Sequence, residues 1–189
     1  MTLSQKETAQ MVTLLKKMGN EVPSEVREAL KGTEAGEAIT IVILQDLTWP
    51  VPHKVFGPWC GASITNPFEL APLNNKCDKV LMFFRDDETV RQQWHLPGTV
   101  IIPGDTIASA QERLLANEVK TEVTPPEFVS VVEFSADKHH RGQEISLLHR
   151  CNIDENRYNG EGRFFRLDSL PSDTYPTHRK LISTLCGHM

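Results

Sequence analysis

WHLPGTVIIPGDTIASAQERLLANEVKTE, residues Trp94 to Glu122, is the stretch whose reading decides the fold. A short apolar run ends at Leu96-Pro97-Gly98, a loop runs on to Gly104-Asp105, and a helix is predicted over residues 106–119. Thr106 can cap this helix with its hydroxyl, while Asp105 places negative charge near its positive end. Ile107, Ala110, Leu114 or Leu115, and Val119 give it an apolar side to lay on a sheet. It carries Arg113, Asn117 and Glu118, and the 113/117 and 114/118 pairs each lie one turn apart.

This order of strand, glycine loop and polar helix resembles the Nudix box, the phosphate-site motif of the Nudix hydrolases. That pattern reads G-x5-E-x7-R-E-U-x-E-E-x-G-U, with U a bulky apolar residue. Leu96-Pro97-Gly98 matches the entry to the box, and Thr99 replaces its first glycine. Asp105 takes the place of the first glutamate, and Arg113 stands where the arginine should. Leu114 then replaces a glutamate, Leu115 fits the apolar slot, Asn117 replaces a second glutamate, and Glu118 keeps the last. Lys120 and Thr121 stand in for the closing glycine and its apolar neighbour. The spacing is kept while much of the acid is gone. Glu112-Arg113-Leu114 is similar to the reduced box of GDP-mannose mannosyl hydrolases.

The resemblance implies hydrolysis of a nucleoside diphosphate linked to another group, a nucleotide sugar for example, with Mg2+ or Mn2+. Such hard cations need oxygen ligands and neutralise the charge that builds up on phosphate. Glu118 would be the main metal ligand and a catalytic residue, with the Asn117 carbonyl oxygen and a backbone oxygen near Gly98 beside it. Asp105 would pair with Arg113 to fix the loop against the helix. Gly98, Thr99 and Arg141 would face the substrate. Glu161 sits where the family often places a loop base or extra ligand, with Glu155 or Glu144 as substitutes. The alternative is a protein that kept the fold, lost turnover, and binds a nucleotide or acts as a regulator. Leu114 and Asn117 favour it, since three carboxylates are reduced to one.

The rest of the chain supplies the remaining parts of such a fold. Residues 4–18 and 23–30 carry apolar residues at helical spacing, each run closed by a glycine, and together predict an N-terminal helical extension over 1–37. This pair can cover the sheet, form a homodimer contact or frame the substrate. Residues 38–44, 79–85, 128–134 and 145–153 read as strands, rich in β-branched and aromatic residues. Between Asp46 and Leu73 five prolines predict a long loop, with Trp49, Phe56, Trp59 and Phe68 able to stack a base or to pin the loop to the core. A charged connection over 137–142 holds His139, His140 and Arg141, although adjacent loop histidines are more often solvated than catalytic. An acidic loop, an aromatic strand, the turn Leu167-Asp168-Ser169-Leu170-Pro171 and a closing helix over 176–186 follow, in the order of the late Nudix segment. The expectation is an α/β/α Nudix sandwich, a mixed sheet between helices, over residues 38–189.

Composition narrows the partners. Of 189 residues, 39% are hydrophobic and 24% charged, as in a folded globular chain. A net charge of -5 argues against a generally basic, nucleic-acid-binding surface and leaves room for a local phosphate pocket. No run approaches a membrane span, and the polar start is unlike a signal peptide. Cys60, Cys77, Cys151 and Cys186 form no C-x-x-C pair, so free thiols in a reducing cytoplasm are expected.

Overall fold

A computed structural model of the chain describes residues 60, 63–86, 92–135 and 142–189. The N-terminal extension, the strand expected at 38–44, Trp49, Phe56, Trp59, His139, His140 and Arg141 lie outside the described residues. Within them, seven strands form one sheet: β1 (Pro67–Asn74), β2 (Lys79–Arg85), β3 (Gln93–His95), β4 (Gly98–Val100), β5 (Glu127–Phe134), β6 (Glu144–Ile153) and β7 (Arg163–Arg166). The main path runs β3-β2-β1-β6-β5, with β4 on β1 and β7 on β2. β1 and β6 are parallel and the other pairs antiparallel, so the sheet is mixed. Two helices flank it, α1 (Ile107–Leu114), which passes into a π-turn over Leu115–Val119, and α2 (Pro176–Cys186).

Each face of the sheet has its own core. Ala71, Leu73, Val80, Met82, Leu96 and Leu148 pack with Leu181, Ile182 and Leu185 of α2. Phe68, Leu70, Leu81, Cys151 and Ile153 pack with Leu114 and Val119 of the other helical segment. Burying one such leucine is worth roughly 1.5–3 kcal/mol, so neither helix could leave the sheet cheaply. The sandwich expected from the sequence is present wherever the chain is described. Burial alternates along much of β6, and the buried residues 178, 181, 182 and 185 of α2 follow helical spacing, so each element turns one face to the core.

The expected loop over 46–73 needs correction. Its last part is β1, buried along all eight residues and lying between β2 and β6. Proline is normally confined to strand ends, edges and bulges, because it cannot donate to the ladder. Pro67 is the first residue of β1. Pro72 falls where the strand changes partner on one side, between the pairing of 67–69 with β4 and of Leu73 with β2. The missing N–H therefore costs no registered bond there. Phe68 belongs to the core, stacked 4.3 Å from the His149 ring.

The motif helix differs from expectation in its last turn. Thr106 caps α1 as expected, in a reciprocal box with Ser109. Beyond Leu114 the regular spacing fails, and the Lys120 N–H donates to Leu115 O, five residues back. The buried residues explain why. Ala110 and Leu114 are four apart, but the next fully buried residue is Val119, five further on. A continued α-helix would turn Glu118 toward the core after Leu114. The wider turn brings Val119 there instead. Ile107, expected on the apolar side, is half exposed.

Candidate active site

A cavity of about 340 Å³ opens where β1, β3, β4, the π-turn and the start of α2 meet. Glu69, Arg85, His95, Leu96, Gly98, Thr99, Glu118, Tyr175 and His178 line it, with Pro67 and Val100. Three expected residues are thus brought together here: Gly98, Thr99 and Glu118.

Glu118 is directed into the cavity by the π-turn. The Gly98 N–H donates to its Oε2 at 3.4 Å, and His95 Nε2 stands 3.9 Å from its Oε1. Burial pushes its carboxyl up to about 7, against the pull of the Gly98 N–H and the Arg85 charge. Gly98 itself is required by close approach. It lies opposite Glu69 across the β1–β4 pair, and a Cβ there would overlap the Glu69 carboxylate. Glu69 is nearly fully buried, so its carboxylate has little room to give way.

Asp105 and Arg113 act beside the cavity, outside its lining. The Arg113 guanidinium pairs with Asp105 and donates to the Thr99 hydroxyl and, at 3.1 Å, to the Val100 carbonyl. The Ile102 N–H and then the Arg113 charge hold the Asp105 carboxyl below its ordinary value. This cluster joins β4, the loop and α1, and so sets where Thr99 and Gly98 stand.

The other candidates lie elsewhere. Leu114, at a motif glutamate position, is buried in the core beneath the helix. Asn117 is exposed and does not line the cavity. Glu161 is exposed on the loop before β7, outside the lining, where Tyr158 accepts the Gly162 N–H. Glu155 is paired with Lys79 at 2.6 Å, and Glu144 accepts from the Ser146 hydroxyl at 2.7 Å. Among the described residues no group of three or more His, Cys, Asp or Glu side chains could hold a metal ion. Of the three helix positions that would face a cation, Glu118 alone keeps a carboxylate, and a hard cation needs more oxygen ligands than one side chain supplies. These side chains do not make a resident Mg2+ or Mn2+ site.

Glu69, Arg85, His95, Tyr175 and His178 were not singled out by the sequence reading. Glu69 was hidden in the misread proline segment. His178 was legible only as the first member of an apolar stripe, 178/181/182/185, whose role depends on what α2 packs against.

No family model matches the chain, and no curated protein does. Solved structures do match. A MutT Nudix hydrolase from Burkholderia pseudomallei superposes with a TM-score of 0.54 at 16% identity, over 65% of this chain and 98% of that one. The Nudix domain of Shewanella oneidensis NrtR, solved with ADP ribose, gives 0.54 at 16% identity, over 82% and 97%. A structure from Jonesia denitrificans described as a possible asymmetric diadenosine tetraphosphate hydrolase gives 0.54 at 14%, over 67% and 94%. At such identities the likeness is one of fold, and it singles out no subtype. No described helix is long and apolar enough to cross a membrane. The chain carries a Nudix-hydrolase-like fold, a mixed sheet between helices, with its cavity at the glycine loop and the end of the motif helix.

Proposed function

We propose that the cavity binds a nucleoside diphosphate linked to another group, a nucleotide sugar for example, and that the protein hydrolyses it. The observation that carries this reading is Glu118. It is aimed into the cavity and carries a carboxyl near 7, the range that suits a general base at neutral pH. Ionised Glu118 would accept a proton from the attacking water. His95 donates through Nδ1 to the Leu96 carbonyl at 2.7 Å and turns Nε2 toward Glu118. The Arg85 charge would meet phosphate, with Gly98, Thr99 and Arg141 on the substrate side. Asp105 and Arg113 would hold the loop, and Glu161 would supply a second carboxylate from the loop before β7.

Likeness to Nudix hydrolases makes Mg2+ and Mn2+ the cations to test. Asn117 and Glu118, the residues assigned to a metal by resemblance, do not form a site by themselves.

A second reading, binding without turnover, is favoured by one specific observation. Leu114 and Asn117, two of the three motif positions, point into the core and into solvent. The NrtR domain solved with ADP ribose, itself a nucleoside diphosphate linked to a sugar, suits either reading. Nucleotide and phosphate release should be measured against nucleotide sugars, ADP-ribose and dinucleoside polyphosphates, with Mg2+ or Mn2+, alongside calorimetric binding. Release that disappears in Glu118→Ala supports hydrolysis. Binding with no release supports the second reading, and neither overturns both.

A further inference from the structure

We infer that His178 is a positioning residue, whose Nδ1 fixes the Leu96–Gly98 turn and through it the seat of Glu118. The inference deepens the reading of this cavity as the ligand site and rests on it for its effect on ligand, although its geometry does not.

The chain from Asp173 onward runs alongside β3. The Trp94 N–H donates to Asp173 O at 3.1 Å, and the Tyr175 N–H donates to Trp94 O at 2.8 Å. Two residues further along the strand, the Leu96 N–H is the next donor. By then the partner chain has turned into α2, with Pro176 in its first turn, and offers no carbonyl in register. His178 fills the gap, for its Nδ1 accepts the Leu96 N–H at 2.7 Å. A side-chain nitrogen thus continues a backbone ladder past the point where the backbone leaves it. Leu96 is fully buried and His178 is 6% exposed, so an unmet N–H could not turn to water.

The same residue is gripped through its other peptide unit, because His95 Nδ1–H donates to Leu96 O. The two histidines are therefore held in opposite states at Nδ1. His95 must carry a proton there and His178 must lack one, which puts the proton of the His178 ring on Nε2. Their rings meet edge to face at 5.8 Å. The turn held in this way presents the Pro97 carbonyl to Leu70 N–H at 3.0 Å and the Gly98 N–H to Glu118.

A core histidine that merely finds a partner is the plainer explanation, since 178 heads the buried stripe of α2. Leucine would serve that stripe as well. Two facts separate the cases: the partner is the peptide next to the glycine loop, and the ring itself lines the cavity.

The test begins with the unsubstituted protein, labelled with 15N and without ligand. A coupling across the Leu96 N–H···Nδ1 bond, and an Nδ1 resonance of unprotonated type for His178, are expected. Absence of the coupling, or a protonated Nδ1, overturns the inference before any variant is made. His178→Leu keeps the apolar stripe, while His178→Asn returns an acceptor at the position of Nδ1. The leucine variant should move the Leu96 and Gly98 amide resonances, speed Leu96 amide exchange about tenfold and weaken ADP about tenfold, the scale of one hydrogen bond lost. The asparagine variant should restore all three. Unchanged amides in His178→Leu, or no restoration by His178→Asn, overturn the inference. If ADP fails to bind the parent while the coupling is present, the reading of the ligand fails and the positioning role stands.

Discussion

Glu118 unites the chemistry proposed for this protein with a cost in stability. Its carboxyl moves from an ordinary 4.5 to about 7 on folding because burial disfavours the charge. Between those values the native state holds a proton that the unfolded state has lost, so stability falls as pH rises from about 4.5 to about 7 and levels off above. The difference corresponds to a cost on the order of 3 kcal/mol at the top of that window. Glu118→Gln, neutral throughout, should flatten this part of the profile in urea unfolding measured from pH 4.5 to 8; an unaltered slope would place its origin elsewhere. On a confirmed substrate Glu118→Ala should lose turnover by ~100-fold or more with the fold retained. Gly98 gives an independent check at the same scale. Gly98→Ala should destabilise by about 1–3 kcal/mol, as overpacking does, because the new methyl meets the Glu69 carboxylate. Combining it with Glu69→Ala should recover part of that loss in a double-mutant cycle. Strict additivity would mean that the two residues do not meet.

At the scale of the element, the π-turn decides what the motif helix presents. Its end is also where a box residue has a readable physical reason. Lys120 occupies the place of the box glycine, and its φ of 53° lies in the left-handed region, which disfavours a side chain. Lys120→Gly should therefore stabilise the protein by up to about 1 kcal/mol, relieving the strain at the expense of some unfolded-state entropy. Thermal melting would register this as a rise of a few degrees, and a fall would mean that Lys120 makes a contact worth more than the strain. The helix was legible in the sequence because its cap and its first apolar steps are local. The π-turn was not, because it answers the position of Val119 against the sheet rather than any preference of residues 115–119.

For the whole molecule, the arrangement of donors around the cavity bears on cation binding. With Leu114 in the core and Asn117 exposed, Mg2+ should bind the free protein with no saturation below the millimolar range in calorimetry, and more tightly once ADP is added. Tight binding to the free protein would show that carboxylates other than those assigned make a site. The sequence by itself determined the elements whose information is local: β2, β5, β6, the capped α1, α2, and the spacing that brings Asp105 within reach of Arg113. It also carried the likeness that predicted a mixed sheet between helices. Only the tertiary structure decided that a proline-bearing segment is the central strand β1, since Pro72 is tolerated there by a change of partner that no local pattern announces. It alone brought Glu69, Arg85, His95 and His178, widely separated along the chain, to one cavity. It also divided three motif positions among core, solvent and cavity. A side chain's residue type is written in the sequence, but what it faces depends on which surfaces pack together, and here the burial of Leu114 and Val119 settled where Glu118 could point.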